Sequence, residues 1–194
     1  MKSRLLLFIL FFGCWSAFAQ PSNDDPCNAI PLTVGTSCNY NQFTNAQATA
    51  TAVSVAADPS CSYYLGGDVW FSVVVPPSGN LIINTNTGVV TDGGMAIYSG
   101  SCNSLTEIAC DDDSSPNGLM PMISRSGLTP GSTVYIRFWE YGNNNNGTFS
   151  ICAYSPIPPA NDDPCNAIPL NVGTSCNYAQ YSNASASGSA NVPT

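Results

Sequence analysis

The chain has 194 residues, with 4 basic against 12 acidic side chains, no histidine and a formal net charge of −8. So acidic a chain is excluded as a nucleic-acid binder, which needs a basic footprint. Without histidine it also lacks the usual base for serine or cysteine hydrolysis and most of what a zinc site requires.

Residues 1–19 read as a secretory signal peptide. Lys2 and Arg4 precede the apolar run Leu5 to Phe12, and Ala17-Phe18-Ala19 leads into Gln20. The run is too short to span a bilayer, which takes about 20 residues, and nothing else in the chain looks transmembrane. Gly13-Cys14 is the rival reading, a lipoprotein cleavage site, though Phe11-Phe12 before it fits poorly. Next comes NDDPCNAIPL at 23–32, which returns letter for letter at 161–170. At this offset of 138 residues, 22 of the 34 pairs out to Thr194 are identical. Such a period is the size of a domain, since solenoid units run to roughly 20–50 residues. The expected organisation is a complete domain over 20–155, a Pro-rich linker over 156–160, and the truncated start of a second copy over 161–194. That second copy is expected to be only partly ordered, and the neighbours in a longer tandem array would be copies of the same domain.

The body reads as short strands. Val69 to Val75 is β-branched and aromatic and is ended by the turn residues Pro76 to Asn80. Leu81 to Asn84, Met95 to Tyr98 and Leu105 to Ala109 follow, separated by Gly, Asn, Asp and Ser. Thr133 to Tyr141 alternates, with Val134, Ile136 and Phe138 on one face and Tyr135, Arg137, Trp139 and Tyr141 on the other. Gly142 to Gly147 then reads as a hairpin loop into Thr148 to Tyr154. No window carries a helical apolar stripe, so the predicted fold is all-β, an antiparallel β-sandwich. Eight cysteines remain after the signal, an even number without a Cys-x-x-Cys pair, which predicts disulfides. Cys102 and Cys110 bracket a short segment and are expected to pair locally. The other four of the first copy (Cys27, Cys38, Cys61 and Cys152) allow three pairings.

Two acidic clusters could supply the six to eight oxygens that Ca²⁺ takes. One is Asn23, Asp24 and Asp25 with Asp68. The other is Asp111, Asp112 and Asp113 with Asp92. Adjacent carboxylates in one loop do not face each other as catalytic pairs do, so no enzyme is expected. The stripe Tyr135, Arg137, Trp139, Tyr141, if outward, is a candidate recognition surface for protein or sugar.

GGDVWFSVVVPPSGNLIINTNTG, DGGMAIYSGSCNSLTEIACDDD and LTPGSTVYIRFWEYGNNNNGTFSI together resemble the bacterial pre-peptidase C-terminal domain. Collagen-binding modules of bacterial collagenases belong to the same group. The resemblance covers about Asn23 to Tyr154 and implies a jelly-roll-like β-sandwich. It also implies calcium where the opening segment meets an Asp-rich turn, hence at Asn23, Asp24, Asp25 and Asp68, although Gln20-Pro21-Ser22 replaces the glutamates of such relatives. By the same resemblance, aromatic residues of one sheet face bind ligand, and the pairings are Cys27–Cys61 and Cys38–Cys152. The implied function is a secreted or cell-surface, non-catalytic binding or adhesion module, calcium-stabilised, meeting an extracellular protein or polysaccharide. The alternative is an accessory domain of a secreted hydrolase such as a peptidase.

Overall fold

The computed structural model describes residues 19–186. The signal peptide and the Gly13-Cys14 reading therefore fall outside the described residues, Ala19 apart, as do residues 187–194 of the second copy.

Among the described residues ten strands form, in chain order: β1 (Ile30–Pro31), β2 (Val34–Gly35), β3 (Asn41–Thr44), β4 (Val69–Val74), β5 (Leu81–Asn86), β6 (Gly93–Ser101), β7 (Ser104–Asp111), β8 (Met122–Arg125), β9 (Thr133–Glu140) and β10 (Thr148–Tyr154). One sheet runs β1-β4-β9-β6-β7; the other runs β2-β10-β5-β8, with β3 also on β10. The opening strands pair parallel, β1 with β4 and β2 with β10, so both sheets are mixed where an antiparallel sandwich was expected. The cause is topological. The lead segment bridges the two sheets in one pass, and its short strands take whatever edge β4 and β10 leave open.

The sheets close on a shared core. Val69, Phe71 and Val73 of β4 and Val134, Ile136 and Phe138 of β9 meet Ile83 of β5 and Phe149 and Ile151 of β10. Phe138 stacks on Phe149 with ring centroids 3.8 Å apart, and Phe71 meets Phe43 edge-on at 4.8 Å. Each side of this core is the apolar face that strand alternation predicts.

The other face of the β4–β9–β6 sheet is buried as well, which corrects the outward stripe. Arg137 and Trp139 have no exposed surface, Tyr135 is half-buried, and of the four only Tyr141 is substantially exposed. Residues 46–68, with no regular strand or helix, fold back across this face. Ala56, Cys61 and Tyr64 pack there on Trp70, Ala96, Tyr98 and Trp139. A strand covered on both sides loses its solvent side, so β6 is buried without alternation from Gly93 to Tyr98. Gly94 is needed for this packing, because a Cβ there would run into the Trp139 indole.

The disulfides are Cys27–Cys102, Cys38–Cys152 and Cys61–Cys110. Cys38–Cys152 is the bond the resemblance implies, whereas Cys102–Cys110 and Cys27–Cys61 are corrected. The β6–β7 turn lies at Cys102-Asn103 itself, with Ser101 opposite Ser104, while Cys110 faces Ala96 at the far end of the ladder. Six residues of strand put Cys102 and Cys110 roughly 20 Å apart, far beyond disulfide reach. Cys27 lies at the hairpin tip beside Asn103, and Cys61 beside Cys110, so each bonds its neighbour. The hairpin loop expected over Gly142 to Gly147 is corrected too. It carries the chain from one sheet to the other, from β9 to β10, and closes no hairpin. Residues 161–186 contain one 3-10 turn, Pro164–Asn166, and their side chains are exposed apart from the half-buried Asp162.

Candidate functional site

The predicted acidic residues separate into three groups. At the opening, Asn23 donates to the Trp70 carbonyl at 2.9 Å. Asp24 accepts from Thr49 N and Oγ1, each at 2.6 Å, and from Gln20 at 2.6 Å. Its lone pairs anchor the start of the covering segment. Asp25 is exposed. The structure does not bring Asp68 to these three.

Asp68 lies in the second group, fully buried beneath the covering segment. It accepts from Thr51 N at 3.1 Å, Thr51 Oγ1 at 2.6 Å, Tyr64 at 2.6 Å and Trp70 Nε1 at 2.9 Å. The cation beside it is Arg137, whose Nε donates at 3.1 Å. The guanidinium also donates to the Ala57 carbonyl at 3.1 Å and to the Tyr64 hydroxyl, and lies over the Tyr64 ring at 4.2 Å. Burial, then the Asp68 charge, pushes the Tyr64 hydroxyl well above its ordinary pKa, and burial lifts that of Tyr98 to about 12. Arg137 is held firmly charged: burial works against that charge, but Asp68, Tyr64 and Tyr98 together outweigh it. This network ties the covering segment to the sheet, and its saturated lone pairs leave Asp68 nothing for a metal.

The third group forms at one pole, where β6 begins and β7 and β9 end. Asp92, Asp112 and Asp113 place one carboxylate oxygen each within 4.8 Å of the others. Sequence separates Asp92 from the other two by twenty residues, and topology closes the gap. Asp111, predicted with them, turns away: it accepts from Ser114 Oγ at 2.6 Å and from Met122 N at 2.8 Å. Burial first, then the carboxylates of Asp112, Asp113 and Glu140, raises the Asp92 pKa above the ordinary carboxylate value. Asp112 is raised likewise, by burial and then by Asp113 and Asp111, with Ser62 alongside easing its ionisation. Ser62 closes no proper hydrogen bond, so Asp112 Oδ1 and Ser62 Oγ are both buried without a partner in the protein. Like charges converging around an unsatisfied oxygen are what a bound cation would relieve.

Two exposed rings stand at the same pole. Tyr141 N donates to the Asp92 carbonyl at 3.1 Å, and Gly142 N to the Tyr63 carbonyl at 3.0 Å. The Tyr63 and Tyr141 rings lie 5.6 Å apart, and both are substantially exposed. Tyr141 belongs to the predicted stripe. Tyr63 was not among the predicted site residues, and nothing in its local pattern marks it as a partner for Tyr141.

The family model that matches covers residues 22–151 and describes T9SS-associated, galactose-binding-domain-like domains. The chain belongs to this family. The T9SS-associated span starts just before Asn23 and ends within β10, so it holds the sandwich, all three disulfides but the second sulfur of Cys38–Cys152, and the acidic pole. The family is a binding or accessory type of domain. Its T9SS association and the extracellular-type disulfides point to a secreted protein. Among the described residues no helix is long and apolar enough to cross a membrane. Several solved structures are similar. The pre-peptidase C-terminal domain of collagenase from Bacillus anthracis has 10% identity and a TM-score of 0.39, over 64% of this chain and 95% of that one. The Yersinia pseudotuberculosis-derived mitogen has 13% identity and a TM-score of 0.35, over 60% and 86%. The periplasmic inhibitor of g-type lysozyme from Aeromonas hydrophila has 7% identity and a TM-score of 0.35, over 64% and 95%. No curated protein matches the chain.

Proposed function

We propose that this chain is a secreted, non-catalytic glycan-binding module, calcium-stabilised at the pole formed by Asp92, Asp112 and Asp113, in a protein built of neighbouring copies of the same domain. The convergence of these carboxylates beside the exposed Tyr63–Tyr141 pair carries the reading. Aromatic faces suit the apolar face of a sugar ring. Carboxylates, and a calcium ion held among them, suit its hydroxyls. The galactose-binding-domain-like family favours a saccharide over a protein as ligand.

The first test is thermal unfolding in EDTA and then in millimolar calcium. Calcium at 100 times its dissociation constant is expected to add about 2.7 kcal/mol and raise Tm by several degrees. Asp112→Asn should abolish the rise and Asp24→Asn should keep it. A rise that survives Asp112→Asn places calcium elsewhere. Galactose-terminated oligosaccharides, titrated calorimetrically, should bind the calcium form and lose at least tenfold in affinity on Tyr141→Ala. Equal binding by that variant removes the pole as the ligand site.

A further inference from the structure

The covering segment comes down on the acidic pole at one point. Ser60 donates to Glu107 through its N and Oγ, Cys61 is joined to Cys110, and Tyr64 donates to Asp68. Between these anchors stand only Ser62 and Tyr63. The Tyr63 carbonyl accepts from Gly142 N at 3.0 Å, and its ring meets that of Tyr141. Ser62 alone of residues 60–64 buries a polar side-chain atom without a partner. Its backbone is left-handed, with φ of 62°, a conformation that side chains other than those of Asn and Asp rarely adopt. At this bend the Tyr63 ring is exposed while the Ser62 hydroxyl lies alongside Asp112.

Of the four buried side-chain polar atoms left without a partner among the described residues, three meet here: Ser62 Oγ, Asp112 Oδ1 and Trp139 Nε1. Trp139 is fully buried, and its indole lies across Gly94, with Nε1 2.7 Å from where a Cβ on that glycine would stand. The β6–β7 register, carried one step past Met95 and Asp111, sets Asp112 opposite Gly94. Asp112 also shares a face with Cys110, two residues before it, and that face is the one Cys61 covers. The indole N–H thus stands beside Asp112, under Ser62.

These atoms are a donor, an acceptor and a hydroxyl that is either. One buried water would bond all three, but it would leave the carboxylates of Asp92, Asp112 and Asp113 converging within 4.8 Å. Calcium accepts carboxylate and neutral oxygens together and keeps waters in its shell. With the ion among the carboxylates, the Ser62 oxygen has a cation to face, and a water carried by the ion gives the indole N–H its acceptor.

Resting on the calcium reading of this pole, we infer that Ser62 Oγ is the ligand by which the ion holds the covering segment to the sheet, so that calcium closes this segment and fixes Tyr63 beside Tyr141. The coupling is reciprocal: whatever lifts the segment releases the ion.

The test is calorimetric calcium titration of the oxidised parent and of Ser62→Ala, with hydrogen exchange of amides 60–64 followed in EDTA and at saturating calcium. The two proteins should melt alike in EDTA, and Ser62→Ala should bind calcium roughly tenfold more weakly, as ligand number tunes such sites. Calcium should slow exchange over residues 60–64 in the parent and leave it unchanged in Ser62→Ala. Ser62→Gly removes the same hydroxyl and suits the left-handed backbone, so it takes the place of alanine if that variant misfolds. If the parent binds no calcium, the calcium reading of the pole falls, and this inference with it. If parent and variant bind equally, the ion is at the pole but Ser62 is not its ligand, and only this inference falls. Exchange that calcium leaves unchanged in the parent overturns it as well.

Discussion

Arg137 shows most plainly how the same residue reads from sequence and in the fold. Alternation along β9 correctly puts Arg137 and Trp139 on the face opposite Ile136 and Phe138, but alternation says only that a strand has two faces. What covers the second face is a strandless segment sixty or more residues away in sequence, so no local signal marks the arginine as buried. Its removal should therefore be severe. Arg137→Met leaves Asp68 buried with its charge uncompensated and is expected to cost about 3–5 kcal/mol in urea unfolding. Adding Asp68→Leu should recover a large part of that loss, since the orphaned charge goes with it. Purely additive costs would mean that the two side chains are not coupled. At the acidic pole the sign is opposite. Asp92 and Asp112 have pKa values raised on folding, so their contribution is fully present below the ordinary carboxylate pKa and is lost as pH rises through the folded values. In EDTA, Asp112→Asn should thus be more stable than the parent at pH 7, and the gap should close on acidification through that range. Melting curves of the two proteins from pH 3 to 7 test this; a gap that widens on acidification contradicts it.

Elements were legible in proportion to their length and periodicity. The ends found for β10 match the structure, β4 differs by one residue, and β9 stops one residue earlier than its pattern. In contrast, β2, β3 and β8 have two to four residues and were not anticipated. So short a segment has no period to read and becomes a strand only because an edge is available to it. The β6–β7 hairpin was divided wrongly for a related reason. Its turn is a cysteine and an asparagine rather than a glycine pair, so Cys102 and Cys110 were paired across Leu105 to Ala109, a stretch whose extended form as a strand holds them apart. Cys61–Cys110 consequently does a different job from the one assigned to Cys110. It fastens the covering segment to the row of Trp70, Arg137, Ala96 and Cys110 that face one another across four strands. Ser60 and Glu107 reinforce it alongside. Replacing both cysteines by serine should cost about 2–4 kcal/mol and let the covering segment lift before the sandwich opens. The emission of Trp70 and Trp139 would then shift to the red at lower urea than the loss of sheet signal. Coincident transitions would instead mean that segment and sandwich form one cooperative unit.

For the whole molecule, the class of fold followed from strand spacing and from the lack of any helical stripe. The acidic pole did not follow as fully, because bringing Asp92 to Asp112 requires knowing that β6 and β7 are neighbours. The way the chain enters and leaves also has a mechanical consequence. β2 and β10 lie side by side and parallel, Val34 opposite Ala153 and Gly35 opposite Tyr154. Tension applied to both ends of the domain pulls these strands in opposite directions and loads their hydrogen bonds together in shear. Behind them, Cys38–Cys152 carries the load through sulfur, so the stretch between, with a sequence separation of 114, is shielded from it. Pulled singly, the oxidised domain should release almost no hidden length, whereas reduction should free roughly 400 Å at 3.3–3.6 Å per residue. A large extension without reductant would show that the bond is not in the path of force. A secreted chain of such domains would behave under flow as a string of nearly inextensible links, each of which lengthens only where the surroundings turn reducing.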